Sequence, residues 1–375
     1  MAERRRWAVP AAAQPTLVDV AAAAGVSRQT VSNVLHAPDR VRPETRERVE
    51  RFIAELGYQP NRVAQDLRAN ASRMIGYRIR PLAPGALASI HDRFLHALAE
   101  AGRAADRHLL LFTADGPEAE VECAARLRRS GGVAGVVLYD VTASDPRPPA
   151  LLERGVPFVA FGRTAEATDR YPWIDVDNPS GTAAAVDHLV HRGHRRIGFI
   201  GWPPDDTIGT RRAQGWQAAV ERHGLTAACR SLDARGEDTV AAGAEMAYAL
   251  LGQPGPPTAF VTATDTLAVG VLRAAQQWGL EVGRDVAVVG FDDTPTAAAL
   301  DLSSIRQPIE LVGRQVMATL LHATAATPPA TTVPAGSCPP DPGTVAHHLA
   351  PAPPEQLLTP RLIIRSSSAS PAPRR

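Results

Sequence analysis

Arg28, Gln29, Ser32 and Asn33 fall on one side of the helix that the stretch RQTVSNVLH predicts, and Val31, Val34 and Leu35 fall on the other. An ordinary surface helix would present mostly Glu, Lys and Ala on its polar side. Here each polar side chain makes directed hydrogen bonds to flat edges. Arginine matches guanine O6 and N7, and glutamine or asparagine matches adenine N6 and N7 in the major groove. Any one of these residues alone would fit a solvated helix surface, but the set on one face points to base reading.

A second spacing invites a different chemistry. His188, His191 and His194 recur every three residues, which could suggest metal. The alternative is a helix end, where basic side chains complement the dipole. Other chemistry is excluded by composition. All 40 basic residues of the 375-residue chain are arginine, so neither a phosphate-loop lysine nor a Schiff-base lysine is available. No G-x-G-x-x-G leads from a strand into a helix and no G-x-S-x-G occurs. Cys123, Cys229 and Cys338 are odd in number and far apart, so unpaired thiols are expected and neither a disulfide framework nor a zinc site. No cofactor and no metal are expected.

The net charge is only +1, with 45% hydrophobic and 21% charged residues, as in ordinary soluble proteins. Residues 1–80 carry 14 arginines against 8 acidic side chains, and the remainder 26 against 31, so the basic excess is N-terminal. Such asymmetry suits a nucleic-acid-binding module joined to a neutral or acidic domain. No apolar run approaches a membrane span, and the three early arginines lack a hydrophobic segment behind them, which predicts neither a signal peptide nor a membrane partner. The expected location is the cytoplasm, at the nucleoid.

Three short helices must position the reading face. Thr16 caps the first, with Asp19 as its capping-box partner and Leu17, Val20, Ala21 and Ala24 as its apolar stripe. Gly25 stops it, Val26 fills the corner and Ser27 caps the second helix, a turn of about four residues with helix-turn-helix spacing. The third runs from about Pro43 to Gly57, with Val49, Phe52, Ile53 and Leu56 inward. Asn61 then caps a helix too short to persist alone. From Ile75 the pattern becomes apolar strands alternating with amphipathic helices: IGYRI, HLLLFT, VAGVVLY, VPFVAFG, RIGFIGW, TAFVTA and VAVVGF. This predicts mainly parallel α/β sheets. Roughly 290 such residues exceed one comfortable core, so two lobes with a cleft between them are expected. The expected division is a disordered 1–14, a helix-turn-helix domain 15–60, a hinge and linker 61–74, an effector-binding and dimerisation domain 75–368, and a tail 369–375. Within the larger domain, the Pro- and Ala-rich 323–356 predicts a disordered insertion, followed by one strand, RLIIR.

The segments TLVDVAAAAGVSRQTVSNVLH, TRERVERFIAELGYQPNRVAQDLR, DHLVHRGHRRIGFIG, TDTLAVGVLRAA and VAVVGFDDT, in this order, resemble the LacI family of bacterial transcription regulators. The resemblance covers about residues 15–322 and 357–368. It implies an all-α helix-turn-helix head, a hinge helix, and a two-lobed periplasmic-binding-protein-like effector domain crossed three times by the chain, with RLIIR returning to the lobe of about residues 176–298. It assigns base reading to Arg28, Gln29 and Asn33, and phosphate contacts to Thr16, Ser27, Thr30, Ser32 and Arg62. Leu67 matches the leucine that wedges into the minor groove, the alternative being a core role. ANAS replaces the Lys or Arg that many members carry after the hinge, implying fewer phosphate contacts.

For the effector, a sugar or related polyol, the resemblance implies Arg212 and Asp292, a donor and an acceptor facing each other across the cleft. Asp265 fits the Asn-Asp motif in part, because Thr264 stands where Asn is usual. Tyr139, Phe161, Trp202 and Trp216 are candidates for apolar walls and equally for core. The implied protein is an effector-controlled regulator, most simply a repressor, that binds a pseudo-palindromic double-stranded operator as a homodimer. The polar tail SSSASPAPRR lacks a heptad pattern for a tetramer. Rival readings are a ligand-binding transport component, which a helix-turn-helix does not suit, and an enzyme.

Overall fold

The computed structural model describes residues 15–58, 72–80, 90–164, 171–204, 207–326 and 356–369. The chain divides into two units, residues 1–71 and 72–375.

In the first unit, α1 (Leu17–Ala24), α2 (Arg28–His36) and α3 (Pro43–Leu56) share one small core. Thr16 and Asp19 form the expected capping box, and Gly25 closes α1 in the left-handed conformation at φ 63°. Ser27 caps α2 by accepting the Thr30 N–H at 3.1 Å. The core consists of Val20, Ala21, Ala24, Val31, Val34, Val49 and Tyr58, with Leu17, Val26, Leu35, Phe52 and Ile53 packed around it. The expected inward stripe of α3 is too long by one residue. Leu56 is 38% exposed, because Gly57 ends the helix there and Tyr58 turns inward in its place.

The second unit contains two six-stranded sheets of matching order. The first lobe runs β2-β1-β3-β4-β5-β11, from strands Met74–Arg78 (β1), His108–Phe112 (β2), Gly135–Leu138 (β3), Phe158–Phe161 (β4), Trp173–Val176 (β5) and Gln356–Leu358 (β11). The second runs β7-β6-β8-β9-β10-β12, from Ile197–Gly201 (β6), Asp233–Arg235 (β7), Ala259–Thr262 (β8), Ala287–Phe291 (β9), Ser303–Arg306 (β10) and Arg361–Ile363 (β12). Pairing is parallel except at β12, which meets β10 antiparallel with Ser304 opposite Ile363. Helices α4 (Ile90–Ala104) and α13 (Ile309–Ala326) cover the first sheet, with α5 (Pro117–Arg129) and α6 (Arg147–Glu153) in the same lobe, and α7 (Asn178–His191), α8 (Thr207–Arg222), α9 (Thr226–Cys229), α10 (Val240–Leu251), α11 (Asp265–Gln277) and α12 (Pro295–Ala299) belong to the second lobe.

The chain crosses between the sheets three times: from β5 into α7, from β10 into α13, and from β11 into β12. RLIIR thus returns to the second lobe as the resemblance implied. Its companion β11 was not foreseen, and it pairs parallel with β5 of the first lobe. Helix α13 continues to Ala326 and β11 begins at Gln356, so both ends of the span expected to be disordered are ordered. Residues 61–71 of the expected hinge and linker, with Arg62 and Leu67, lie outside the described residues, as do 1–14 and 370–375.

Helices α10 and α11 touch backbone to backbone. A Cβ on Gly270 would lie 2.5 Å from the Ala244 N and 2.6 Å from the Val240 O. We expect Gly270→Ala to force these helices apart and cost about 1–3 kcal/mol, read as a lower urea midpoint; an unchanged midpoint would contradict the packing.

Candidate functional site

On α2, Val31 and Val34 are buried, while Arg28 and Gln29 are exposed and Thr30, Ser32 and Asn33 are half-buried. The Gln29 amide donates to Asn33 Oδ1 at 3.1 Å, which aligns the two amides along the outer face. Two of the residues expected at phosphates, Thr16 and Ser27, serve as helix caps. The Thr16 hydroxyl donates to Asp19 Oδ2 at 2.7 Å, and these Thr16 bonds hold the Asp19 carboxyl below its ordinary range. The Ser27 and Thr30 hydroxyls lie 2.9 Å apart. The structure therefore brings Arg28, Gln29, Ser32 and Asn33 onto one face over a fixed core.

The second cluster forms at the carboxyl ends of the parallel strands, where open α/β sheets place their ligands. Both sheets have the strand order in which the chain reverses direction between the first and third strands of the lobe. Asp140 and Arg80 follow the strands at that point in the first lobe, and Trp202 and Thr264 do so in the second.

Asp265, at the start of α11, is 1% exposed. Its Oδ2 accepts the Thr294 N–H at 2.7 Å and its Oδ1 accepts the Ser304 hydroxyl at 2.6 Å. It fits only because residue 290 is glycine, whose Cβ would lie 2.3 Å from Oδ1. Burial, then the charge of Asp292, push its carboxyl up to about 7. Asp265, an expected effector contact, holds the turn that follows β9 with one oxygen and Ser304 of β10 with the other.

That turn carries Asp292 at φ 104° and Asp293 at φ 49°, a conformation that L side chains rarely adopt. Asp292 Oδ1 accepts the Gln307 amide at 2.6 Å and lies 3.5 Å from Arg212 Nη2. Burial pushes its carboxyl up to about 6 against the pull of Arg212 and Gln307. Asp293 is tied by Arg306 at 2.5 Å and Arg365 at 2.7 Å. Arg212, itself buried, donates to Asn178 Oδ1 at 2.8 Å and to the Ala263 carbonyl. Its guanidinium lies 3.6 Å from the Phe291 ring centroid and 5.4 Å from that of Trp202. Arg212 and Asp292 were expected to face each other across the cleft. They sit side by side on the second lobe, because α8 and β9 belong to the same sheet system.

Thr264 caps α11 by accepting the Leu267 N–H at 3.2 Å, and its hydroxyl donates to Asp238 Oδ1 at 2.5 Å. Asp238, not foreseen, is half-buried beside this cap. Burial raises its carboxyl, opposed by the hydrogen bond from Thr264 and by the charge of Arg212. From the first lobe, His91 hydrogen-bonds Asp140 Oδ1 at 2.7 Å, and Arg80 also holds Asp140. Burial would raise the Asp140 carboxyl, but His91 and Arg80 hold it at about 2. Burial would lower His91, yet Asp140, and then the charge of Asp292, raise it. A buried network of Arg78, Glu120, Asp145 and Arg147 anchors the segment after β3, with Arg147 Nη2 donating to the Tyr139 and Asp140 carbonyls at 3.0 and 2.9 Å.

The aromatic candidates separate. Trp216 is core, packed on Phe199 with its N–H on the Ile197 carbonyl. Tyr139 is core too, stacked on Tyr77 at 4.9 Å with its hydroxyl on the Arg78 carbonyl at 2.8 Å. Phe161 is half-buried against Phe94, and Trp202, half-buried, borders the Arg212 cluster. The three spaced histidines point to different partners: His188 to Ser368, His191 to the Asp187 carbonyl and His194 to Thr258. A groove of about 580 Å³ between α4 and α13 is lined by five alanines, Met317 and Leu321 together with Asp92, Arg93, His96, Glu100, Glu310 and Arg314. No helix of the described residues is long and apolar enough to cross a membrane.

Residues 16–61 match the family of bacterial regulatory proteins, lacI family, and residues 186–339 match a periplasmic binding protein-like domain. The HTH-type transcriptional regulator CelR of Thermobifida fusca is 35% identical over 337 residues, 85% of this chain and 92% of the relative. Among solved structures, a transcriptional regulator CelR–cellobiose complex is similar at 29% identity and a TM-score of 0.62, covering 94% of this chain and 99% of that one. A lac repressor dimer bound to operator and the anti-inducer ONPF gives 27% identity and a TM-score of 0.76, covering 94% and 98%.

Asp265 also sets a pH dependence. Its folded value lies above the ordinary 3.8, so its contribution to stability is present below 3.8 and lost as pH rises toward about 7. Asp265→Ala should flatten the fall in melting temperature across that window. It should also lower overall stability by about 1–3 kcal/mol, through the unpaired Thr294 N–H and Ser304 hydroxyl. A wild-type slope in the variant would show that Asp265 is not the titrating group.

Proposed function

The chain belongs to the LacI family of DNA-binding transcriptional regulators, and we propose that it is a repressor whose operator affinity is set by a polyhydroxyl effector bound between its two lobes. It is a regulator and not an enzyme, as its relatives are regulators. The observation that carries the DNA side is the outward set Arg28, Gln29, Ser32 and Asn33 over buried Val31 and Val34. A homodimer presenting two such faces to successive major grooves fits a pseudo-palindromic operator. Leu67 and Arg62 keep their proposed roles as minor-groove wedge and phosphate contact.

The effector side rests on the mixture of groups at the strand ends. Asp292 and Asp238 accept only, Arg212 donates only, and Trp202 and His91 stand beside them. A sugar hydroxyl both donates and accepts, so it satisfies either kind of neighbour. Cellobiose, bound by the CelR relative, is therefore the first probe.

We expect Gln29→Ala to relax base preference at one operator position by about 1–3 kcal/mol in gel shifts, whereas Arg62→Ala weakens all sequences alike. Uniform loss in both would remove the reading face. Asp292→Ala should keep operator binding and lose the ligand response. In a thermal-shift panel of sugars and polyols, a ligand at a hundredfold excess over its Kd stabilises the wild type by about 2.7 kcal/mol. If Asp292→Ala retains that shift, the cleft assignment fails.

A further inference from the structure

We propose that Arg93, on α4 of the first lobe, positions the effector carboxylate of Asp292 in the second lobe and latches the two lobes together in doing so. The proposal rests on the reading of Asp292 as an effector contact. Arg93 Nη1 donates to the Asp292 carbonyl at 3.1 Å and approaches the Asp293 carbonyl at 3.5 Å, and its Nη2 donates to Glu310 Oε1 at 2.8 Å. The two carbonyls belong to the successive left-handed residues Asp292 and Asp293. Such a turn persists only where its surroundings hold it. Asp265, Ser304, Arg306 and Arg365 hold it from its own lobe, and Arg93 holds it from the other.

The planar fork of arginine suits this task, because one guanidinium reaches the carbonyls and the Glu310 carboxylate at once, with charge-assisted bonds. Gln307, which grips the Asp292 side chain, opens the crossing from β10 into α13, and Glu310 lies in the first turn of α13. Asp292 is therefore held at its side chain by the crossing segment and at its main chain by the opposite lobe. Parting the lobes stretches the Arg93 bonds and frees the turn that aims the carboxylate. A ligand seated on Asp292 stabilises the turn and, through Arg93, the spacing of the lobes. Occupancy and lobe geometry become one variable. A separate tie, Arg211 to Asp175 at 2.6 Å, bridges the lobes beside the crossing from β5 into α7 and does not touch the turn.

The test compares full-length wild type, Arg93→Ala and Arg93→Lys. Small-angle X-ray scattering without ligand reads the lobe spacing, and calorimetric titration with cellobiose reads Asp292. Arg93→Ala should raise the radius of gyration and weaken cellobiose about tenfold to a hundredfold, as for the loss of a charge-assisted hydrogen bond. Arg93→Lys, which keeps a charged donor without the fork, should recover part of both. Scattering of Arg93→Ala identical to wild type overturns the latch, and unchanged cellobiose affinity in an expanded variant overturns the positioning role. If Arg93→Ala expands while wild type does not bind cellobiose, the latch stands and the cellobiose-type effector falls.

Discussion

The second lobe depends on one buried carboxylate. Removing a charge from water is costly unless each oxygen finds a donor, and Asp265 finds the Thr294 N–H and the Ser304 hydroxyl. These two bonds join three elements: the start of α11, the turn after β9, and β10. Ser304 passes the constraint on, because its oxygen also accepts the Asp293 N–H at 2.9 Å. The strained turn is thus defined from beneath, and Asp292 is presented at the strand ends as a consequence. Gly290 is part of the same device, since any side chain there would occupy the space of the carboxylate.

Electrostatics follow from this placement. Asp292 raises the cost of ionising Asp265, Asp238 raises that of Asp292, and Arg212 offsets the cost at Asp292. Arg212 acts as a neutralising group fixed by Asn178, Ala263 and the Phe291 ring more than as a freely swinging ligand hand. Sheet topology explains why the first lobe contributes opposite chemistry. The same strand order brings its strand ends to the same feature, with His91 and Arg80 clustered around a firmly ionised Asp140.

Much of this was legible from local signals. Caps at Thr16 and Ser27, the glycine stops and the apolar spacing defined the head, and continuous Val, Ile and Leu runs defined seven strands. The strands that escaped are short or polar: WIDV, DAR, SSIR and QLL carry no long apolar run, and only pairing with neighbouring strands makes them strands. Arg212 and Asp292 were found through family resemblance, but their mutual placement was not, since 80 positions separate them and only the fold brings α8 and β9 together. His91, Arg93, Asp140 and Asp238 escaped for the same reason. One usable signal existed: a polar residue just after a buried strand in a parallel sheet, as at Asp140 after GVVLY and Asp292 after VAVVGF.

The head obeys a different constraint, and that separates two properties of the protein. Its core is closed within residues 17–58, so the outward angle of α2 is fixed by Val31 and Val34 against Val20, Ala24 and Val49. The side chains proposed to read bases extend from that core, with Gln29 hydrogen-bonded to Asn33. Base preference on the proposed reading face is therefore set within the head. The proposed effector residues Arg212 and Asp292 belong to the other unit, so an effector there acts on the free energy of bringing the heads to DNA. With base reading proposed on α2 and effector binding proposed in the other unit, ligand control should scale affinity for all operators together, while substitutions on α2 re-rank operators without altering the response to ligand.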